Sequence, residues 1–377
     1  MNFQIAFIIS VMGLFITMPL FARYFAFTNL PLWAKIAGFL FCILTAVLPI
    51  FASRDWTKTY GAYFAYVEYT LYFIYIFAVI LFSLTLFRDV IWFVLSMFKA
   101  VLHPFHTHTV SVINFVTVVI AFICAIWSLY EGIRVPAYRH ITLTSPKITT
   151  QKTIAVLSDL HISRTVNPQK IQDIVERTNA INPDIILLPG DIVDDDVNII
   201  KPTTRLLSDL RAKEGIFFVS GNHEFYIGYQ SAMQAIKNLG FTSVENKQVQ
   251  LAPNFYVVGI SDIPTTRRLT GKTLDVPLFK GIPETAYTLF MSHTPTPLND
   301  PFDLQVAGHT HGGQIFPFHI FSWAGNHHLL AGFYPKDRIY VSRGSGQWGP
   351  QMRFLAPSEI TVIHLTPADN TAASTTK

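Results

Sequence analysis

"GIFFVSGNHEFY", residues 215–226, decides how this chain is read. The apolar run Gly215-Ile216-Phe217-Phe218-Val219 stops at Ser220-Gly221, and Asn222 and His223 then stand side by side. A buried strand ending on a glycine and two polar side chains presents those side chains at a site. Taken alone, Gly221–Glu224 fits a turn with an exposed histidine equally well. Repetition decides between the two. Ile154–Leu157 leads to Ser158-Asp159-Leu160-His161, and Ile185–Leu188 to Pro189-Gly190-Asp191. Thr288–Met291 leads to Ser292-His293, and Leu304–Ala307 to Gly308-His309-Thr310-His311. In open α/β sheets, ligands collect beyond the carboxyl ends of the strands. The five ends are therefore expected to bring Asp159, His161, Asp191, Asn222, His223, His293, His309 and His311 together. His309 and His311, two residues apart on an extended segment, point the same way.

Several imidazoles, two carboxylates and one amide oxygen suit hard-to-borderline divalent cations: Mn, Fe, Zn, Mg or Ni. Cys42 and Cys124 both lie in apolar segments of the first half, which excludes a thiolate zinc site here and a disulfide framework. The ligands suffice for two ions if one carboxylate bridges. Two ions about 3.5–4 Å apart clamp a phosphoryl group and activate water for in-line attack. A remaining histidine can protonate the leaving oxygen. On this reading Asn222 is a ligand through its carbonyl oxygen and His223 is the acid.

The first half has a different character. The chain is 377 residues long, 50% hydrophobic and 14% aromatic, with a mean hydropathy of +0.36, too apolar for an ordinary soluble protein. Residues 1–150 hold nine Lys/Arg against four Asp/Glu, whereas residues 151–377 hold nineteen against twenty. The net +4 therefore lies beside hydrophobic segments and predicts no nucleic-acid partner. Crossing a bilayer takes about 20 apolar residues as a helix. Phe3–Phe21, Ile36–Ala52, Tyr63–Phe87 and Val110–Tyr130 meet this, with Glu68 the single charge in the third. Arg88 to Thr109 is read as an interfacial or re-entrant helix, with a fifth span as the alternative. His103, His106 and His108 there read as loop histidines. The first segment lacks a basic leader and a cleavage pattern, so it is expected to remain as a span. About four spans over residues 1–132 put both ends of the region on one side. The loop charges balance four against four, and Arg134, Arg139 and His140 tip the expectation to a cytoplasmic catalytic domain.

Residues 133–150 read as a linker. Beyond them, strands are expected at Thr153–Leu157, Asp184–Leu188, Gly215–Val219, Phe255–Ile260, Tyr287–Met291, Leu304–Ala307, Arg338–Val341 and Glu359–Leu365. Helices are expected at Pro168–Ala180, Thr203–Leu210 and Ser231–Leu239. Residues 367–377 are small and polar and read as a disordered tail.

The ordered set D-x-H, G-D, G-N-H-[DE], H and G-H-x-H resembles the calcineurin-like metallophosphoesterase superfamily. It is carried here by Asp159-Leu-His161, Gly190-Asp191, Gly221-Asn222-His223-Glu224, His293 and Gly308-His309-Thr-His311. "SDLHI", "GNHEFY", "GHTHGGQI" and "SRGSGQWGPQMRFLAPSEIT" resemble its bacterial membrane-associated branch of YkuE-like and YaeI-like phosphoesterases. The resemblance implies an α/β fold: a helical membrane region, then a calcineurin-like β-sandwich flanked by helices over residues 151–366. It implies one divalent ion (Mn, Fe, Zn or Mg) on Asp159, His161, Asp191 and His311. A second ion would sit on Asp191, Asn222, His293 and His309, with Asp191 bridging. His223 would be the acid, oriented by Asp194, although Asp195 and Asp196 are adjacent candidates. The arginine that follows this acid in protein phosphatases is absent, which argues against that activity.

The expected function is therefore a membrane-anchored dinuclear phosphoesterase, a phosphodiesterase or phosphatase of the bacterial inner membrane. Its expected partners are the bilayer and a phosphorylated substrate, lipid-linked or nucleotide-like. Cleavage of UDP-2,3-diacylglucosamine at its pyrophosphate, in lipid A synthesis, is one such reaction. Two further readings stay open: a transporter or sensor with a regulatory hydrolase domain, and a non-catalytic metal-binding scaffold.

Overall fold

The apolar segments of the first half form long helices, and the prolines inside them, Pro19 of the first and Pro49 of the second, stand within the last four residues. The computed structural model describes residues 3–26, 28–52, 63–98, 107–270 and 277–368. The helices are α1 (Phe3–Phe21), α2 (Leu32–Ala52), α3 (Tyr63–Met97) and α4 (Thr107–Ile133). All four are long and apolar enough to cross a membrane. One expectation changes: Arg88–Met97 does not form a separate interfacial helix but continues α3, which runs unbroken for 35 residues. The two charges Arg88 and Asp89 do not break it because both are partnered. Asp89 pairs with Arg88 at 2.7 Å and with Arg23 at 3.2 Å. Arg88 also donates to Asn114 Oδ1 at 3.0 Å and Thr117 Oγ1 at 2.8 Å. His103, His106 and the side chains of Glu68 and His108 lie outside the described part of the molecule.

The chain divides into two compact units, Met1–Glu131 with Gly349–Phe354, and Gly132–Trp348 with Leu355–Lys377. The second holds twelve described strands. They are β1 (Ala137–Ser145), β2 (Lys152–Val156), β3 (Ile185–Pro189), β4 (Gly215–Val219), β5 (Thr242–Ser243) and β6 (Lys247–Ala252), followed by β7 (Phe255–Gly259), β8 (Tyr287–Met291), β9 (Leu304–Ala307), β10 (Gly332–Tyr334), β11 (Ile339–Val341) and β12 (Glu359–Pro367). Interleaved with them are α5 (Pro168–Ala180), α6 (Val197–Arg205), α7 (Asn222–Ile227), α8 (Tyr229–Lys237), α9 (Ile263–Thr270) and α10 (Phe318–Gly325). The strands make two sheets, β1-β12-β2-β3-β4-β5 and β10-β11-β9-β8-β7-β6.

Within β2, β3 and β4 alternate side chains face opposite sides. Ile154, Val156, Ile185, Leu187, Phe217 and Val219 meet Val257, Leu289, Met291, Leu304 and Val306 of the other sheet in one core. The opposite face of the first sheet, with Ala155, Ile186, Leu188 and Phe218, buries Ile171, Ile174 and Val175 of α5 together with Ala232 and Ile236 of α8. β2, β3 and β4 run parallel, as do β7, β8 and β9. Their carboxyl ends therefore emerge together within each sheet.

Three expectations made from sequence for this unit differ from the structure. The helix expected at Thr203–Leu210 is α6, Val197–Arg205, followed by a 3-10 turn at Leu206–Asp209. The stretch 133–150, read as a linker, contains β1, which pairs in parallel with β12 from Ala137↔Glu359 to Ser145↔Pro367. The residues 367–377, read as a tail, begin with the last residue of β12, and residues 369–377 lie outside the described part.

Candidate metal centre

Each site residue sits two to five positions beyond a strand, where the backbone leaves the sheet. Five of them do so in the left-handed region: Asp159 (φ 54), His161 (φ 45), Asp191 (φ 50), His309 (φ 71) and His311 (φ 51). That conformation costs about 1–2 kcal/mol for a residue with a Cβ, and such outliers concentrate at functional sites. Here the sharp turn aims each side chain back over the sheet end. Gly221 and Gly308 permit the close packing that follows. A Cβ on Gly221 would collide with the Asp191 carboxylate, and one on Gly308 with Ser158 and Asp159.

The structure brings Asp159, His161, Asp191, Asn222, His293, His309 and His311 into one buried cluster, with Asp194 and His223 at its edge. His161 Nε2 lies 3.0 Å from His311 Nε2 and 3.6 Å from Asp191 Oδ2. His311 Nε2 is 3.6 Å from Asp159 Oδ1. On the other side, His293 Nε2 is 3.2 Å from Asp191 Oδ2, 3.0 Å from Asn222 Oδ1 and 3.2 Å from His309 Nδ1. Asp159, His161 and His311 form one group able to hold a metal, and Asp191, His293 and His309 another. Asp191 Oδ2 reaches histidines of both.

The donor chemistry fits a cation. Imidazole nitrogens facing one another at 3.0–3.2 Å either share a proton or, with both lone pairs turned inward, need a cation between them. Ligand atoms about 2.1 Å from an ion stand about 3.0–3.4 Å apart for octahedral to tetrahedral angles; the contacts of 3.0–3.2 Å fall in that range, and the two of 3.6 Å lie just outside it. Second contacts fix which nitrogens face inward. The Nδ1–H of His293 donates to Pro189 O at 2.9 Å, leaving Nε2 free to ligate. Asp159 accepts from the His309 amide at 3.0 Å.

His223 occupies the rim. Its backbone amide donates to Asp191 Oδ1 at 2.8 Å, and its Nδ1 lies 2.5 Å from Asp194 Oδ1. Burial disfavours charge on His223, but Asp191 and Asp194 outweigh it and raise the pKa to about 9. Burial likewise opposes charge on Asp194, yet His223 and His161 hold its carboxyl well below the usual carboxylate range. Of the three consecutive acids, Asp194 alone faces this histidine. Asp195 pairs with Arg164 at 2.6 Å, and Asp196 caps α6 by accepting from the Asn198 amide at 2.9 Å. Arg343, just past β11, is paired with Glu359 at 3.2 Å, and His327 and His328 are exposed.

Other residues bear on the site without having been singled out from sequence. Glu224 is fully buried and accepts from the amides of Gly221 (2.7 Å), Asp191 (3.0 Å), Ile192 (2.7 Å) and Val193 (3.2 Å). It thus staples the loop after β3 to the loop after β4. Asp262 follows β7 and accepts from Thr294 Oγ1 at 2.6 Å. It is an acid just past a strand, the same signal that found the others. Tyr226 and Trp348 flank His223 with ring centroids 5.2 and 6.3 Å away.

Residues 152–313 match the family described as calcineurin-like phosphoesterase. A metallophosphoesterase of Helicobacter pylori is 32% identical over 247 residues, covering 63% of this chain and 66% of that protein. The YkuE metallophosphoesterase of Bacillus subtilis is 29% identical over 235 residues, 56% of this chain and 78% of that one. A transmembrane protein with metallophosphoesterase domain from Danio rerio is 28% identical over 233 residues, 57% of this chain and 53% of that one. The chain spans just under two thirds of the Helicobacter relative's length. The matched segment, the ordered motifs and the two-sheet architecture make residues 152–313 a calcineurin-like phosphoesterase domain.

Proposed function

We propose that the domain hydrolyses a phosphoester or phosphoanhydride bond using two divalent cations, on a substrate held at a bilayer. One cation would be held by Asp159, His161, Asp191 and His311, the other by Asp191, Asn222, His293 and His309. The observation that carries this is the place of Asp191, whose Oδ2 is 3.6 Å from His161 and 3.2 Å from His293. A single carboxylate within reach of two histidine groups is what a bridged pair requires. Bound there, the cations would supply an activated water and neutralise charge on the phosphoryl oxygens. The chain's own part is to orient and to move a proton. The Nδ1–H of His223 donates to Asp194, and in the protonated ring Nε2 carries the second proton, the one that passes to the leaving oxygen. Tyr226 and Trp348 wall the leaving-group side and shed water from it. The four apolar helices support a membrane-associated substrate, because tether and substrate then share one surface.

The full chain, purified in detergent and supplied with Mn²⁺, is expected to cleave bis-p-nitrophenyl phosphate. A chelator should abolish the reaction and added Mn²⁺ restore it. His223→Ala should lower kcat about 10²–10⁴-fold, the usual contribution of a positioned acid. Asp191→Asn should remove turnover and weaken metal binding. Turnover at the wild-type level in both variants overturns the mechanism.

A further inference from the structure

The soluble domain carries an apolar surface that its fold does not use. From Leu304 to Pro335 the sequence contains no Asp, Glu, Lys or Arg, although this stretch includes a surface helix. That helix, α10, buries none of its side chains. Ile320 is 58% exposed, Phe321 62% and Trp323 45%, and Phe316 just before the helix is also exposed. Leu355, 67% exposed, joins them, because its carbonyl lies 3.4 Å from His319 Nε2 of the helix. A contiguous apolar patch of this kind marks an interaction surface.

The patch is fastened to the catalytic loop. Ser322 Oγ of α10 donates to Thr310 O at 3.2 Å. A Cβ on Gly313 would meet the His319 backbone at 2.5 Å. Thr310 stands between His309 and His311. Whatever covers α10 therefore lies beside the segment that supplies two of the site's histidines.

We propose that α10, with Phe316 and Leu355, is a membrane-contact element that seats in the lipid headgroup–acyl boundary next to the metal centre. The occupant is identified by two features. The same chain carries four helices long and apolar enough to cross a membrane, so a lipid surface is always within reach at high local concentration. The helix itself is short, aromatic and uncharged with a tryptophan near its end, which is the composition that partitions to the interfacial layer rather than across it. A phosphorylated headgroup in that layer would reach the site without leaving the membrane. The lipid contact is separate from turnover, so the two readings can fail independently.

The test uses the full chain with Cys42→Ala and Cys124→Ala, in nanodiscs of phosphatidylethanolamine and phosphatidylglycerol. An environment-sensitive label is placed at Phe321→Cys, and in a second protein at Ile320→Cys. Lys201→Cys on α6, also exposed, serves as the aqueous control. Labels at 320 and 321 are expected to be quenched several-fold more by doxyl-labelled lipid than by a soluble nickel chelate, and the label at 201 the reverse. Quenching at 320 and 321 by the nickel chelate alone overturns the proposal, because the helix then faces water. Quenching by neither reagent overturns it as well, because protein then covers the patch. Cleavage of bis-p-nitrophenyl phosphate by the labelled proteins reports their folding. The catalytic reading is tested on the unlabelled chain: absence of cleavage there, alongside lipid quenching of the labelled proteins, would count against that reading and leave the membrane contact standing.

Discussion

In the proposed mechanism His223 and Asp194, in contact at 2.5 Å, set the pH behaviour of the site. As the acid, His223 has to be protonated, so the rate falls as pH rises through its pKa. That pKa stands at about 9 without cations because Asp191 and Asp194 outweigh burial. Cations on Asp191 would lower it, since they take up that carboxylate's charge, but the Asp194 contribution keeps its sign. Removing the Asp194 charge must therefore move the alkaline limb of the kcat profile to lower pH. Asp194→Asn is expected to shift it down by about 1 unit or more, the usual effect of an opposite charge at contact distance. A limb that stays in place would show that Asp194 does not act on the proton donor. Glu224 makes a different prediction. Its carboxylate satisfies four amides in a fully buried position, and buried donors left unpaired cost about 1–3 kcal/mol each before relaxation or water entry. Glu224→Ala is expected to destabilise the domain by about 3 kcal/mol, seen as an earlier urea transition in its β circular dichroism signal. Glu224→Gln, which keeps one acceptor oxygen, should lose less.

Among the elements, the central strands should be the costliest place to remove volume. Leu187 of β3 is fully buried in the core between the two sheets. Leu187→Ala should cost about 2–5 kcal/mol, measured in the same urea transition, whereas a truncation on the exposed edge of β6 should cost far less. The contrast also explains what could be read in advance. β4, β8 and β9 were legible to the residue because they are largely buried on both faces and read as near-continuous apolar runs, with Thr288 and Gln305 the polar exceptions. α5 was legible because Ile171, Ile174 and Val175 mark one face and Asn167 caps it, accepting from Gln169. β1 was not, because "AYRHITLTS" is an edge strand without a fully buried position. Its pairing with β12, more than two hundred residues away, leaves no local mark. β6, "KQVQLA", is missed for the same reason. α10 escaped notice because its apolar residues face outward, so no amphipathic period announces it. The convergence of the site residues was legible because each lies just past a strand, a local property that topology then gathers. The role of Glu224 was not, because its four partners sit on two separate loops.

At the scale of the whole molecule, the composition has to be reconciled with a solvent. Phe15, Trp33, Phe87, Phe115 and Ile123 expose 75%, 72%, 67%, 69% and 61% of their surface on α1 to α4. Water around so many outward apolar side chains would drive aggregation, whereas hydrocarbon solvates them, and α-helices satisfy their backbone groups internally as hydrocarbon requires. Several of the charges described here obey the same constraint: Arg88 and Asp89 of α3 pair, Arg23 just past α1 meets Asp89, and Lys35 of α2 donates to Ala26 O at 3.0 Å. A protein built this way cannot be a peripheral one held by ionic contacts. Full-length chain expressed in bacteria is therefore expected to stay in the membrane pellet through alkaline carbonate, which strips peripheral proteins, and to leave it only with detergent. Release by carbonate would mean that the exposed faces of α1 to α4 are covered by protein rather than lipid. The argument for a substrate shared with the bilayer would then lose its footing, while the metal centre, built entirely from the strand ends of the other unit, would be untouched.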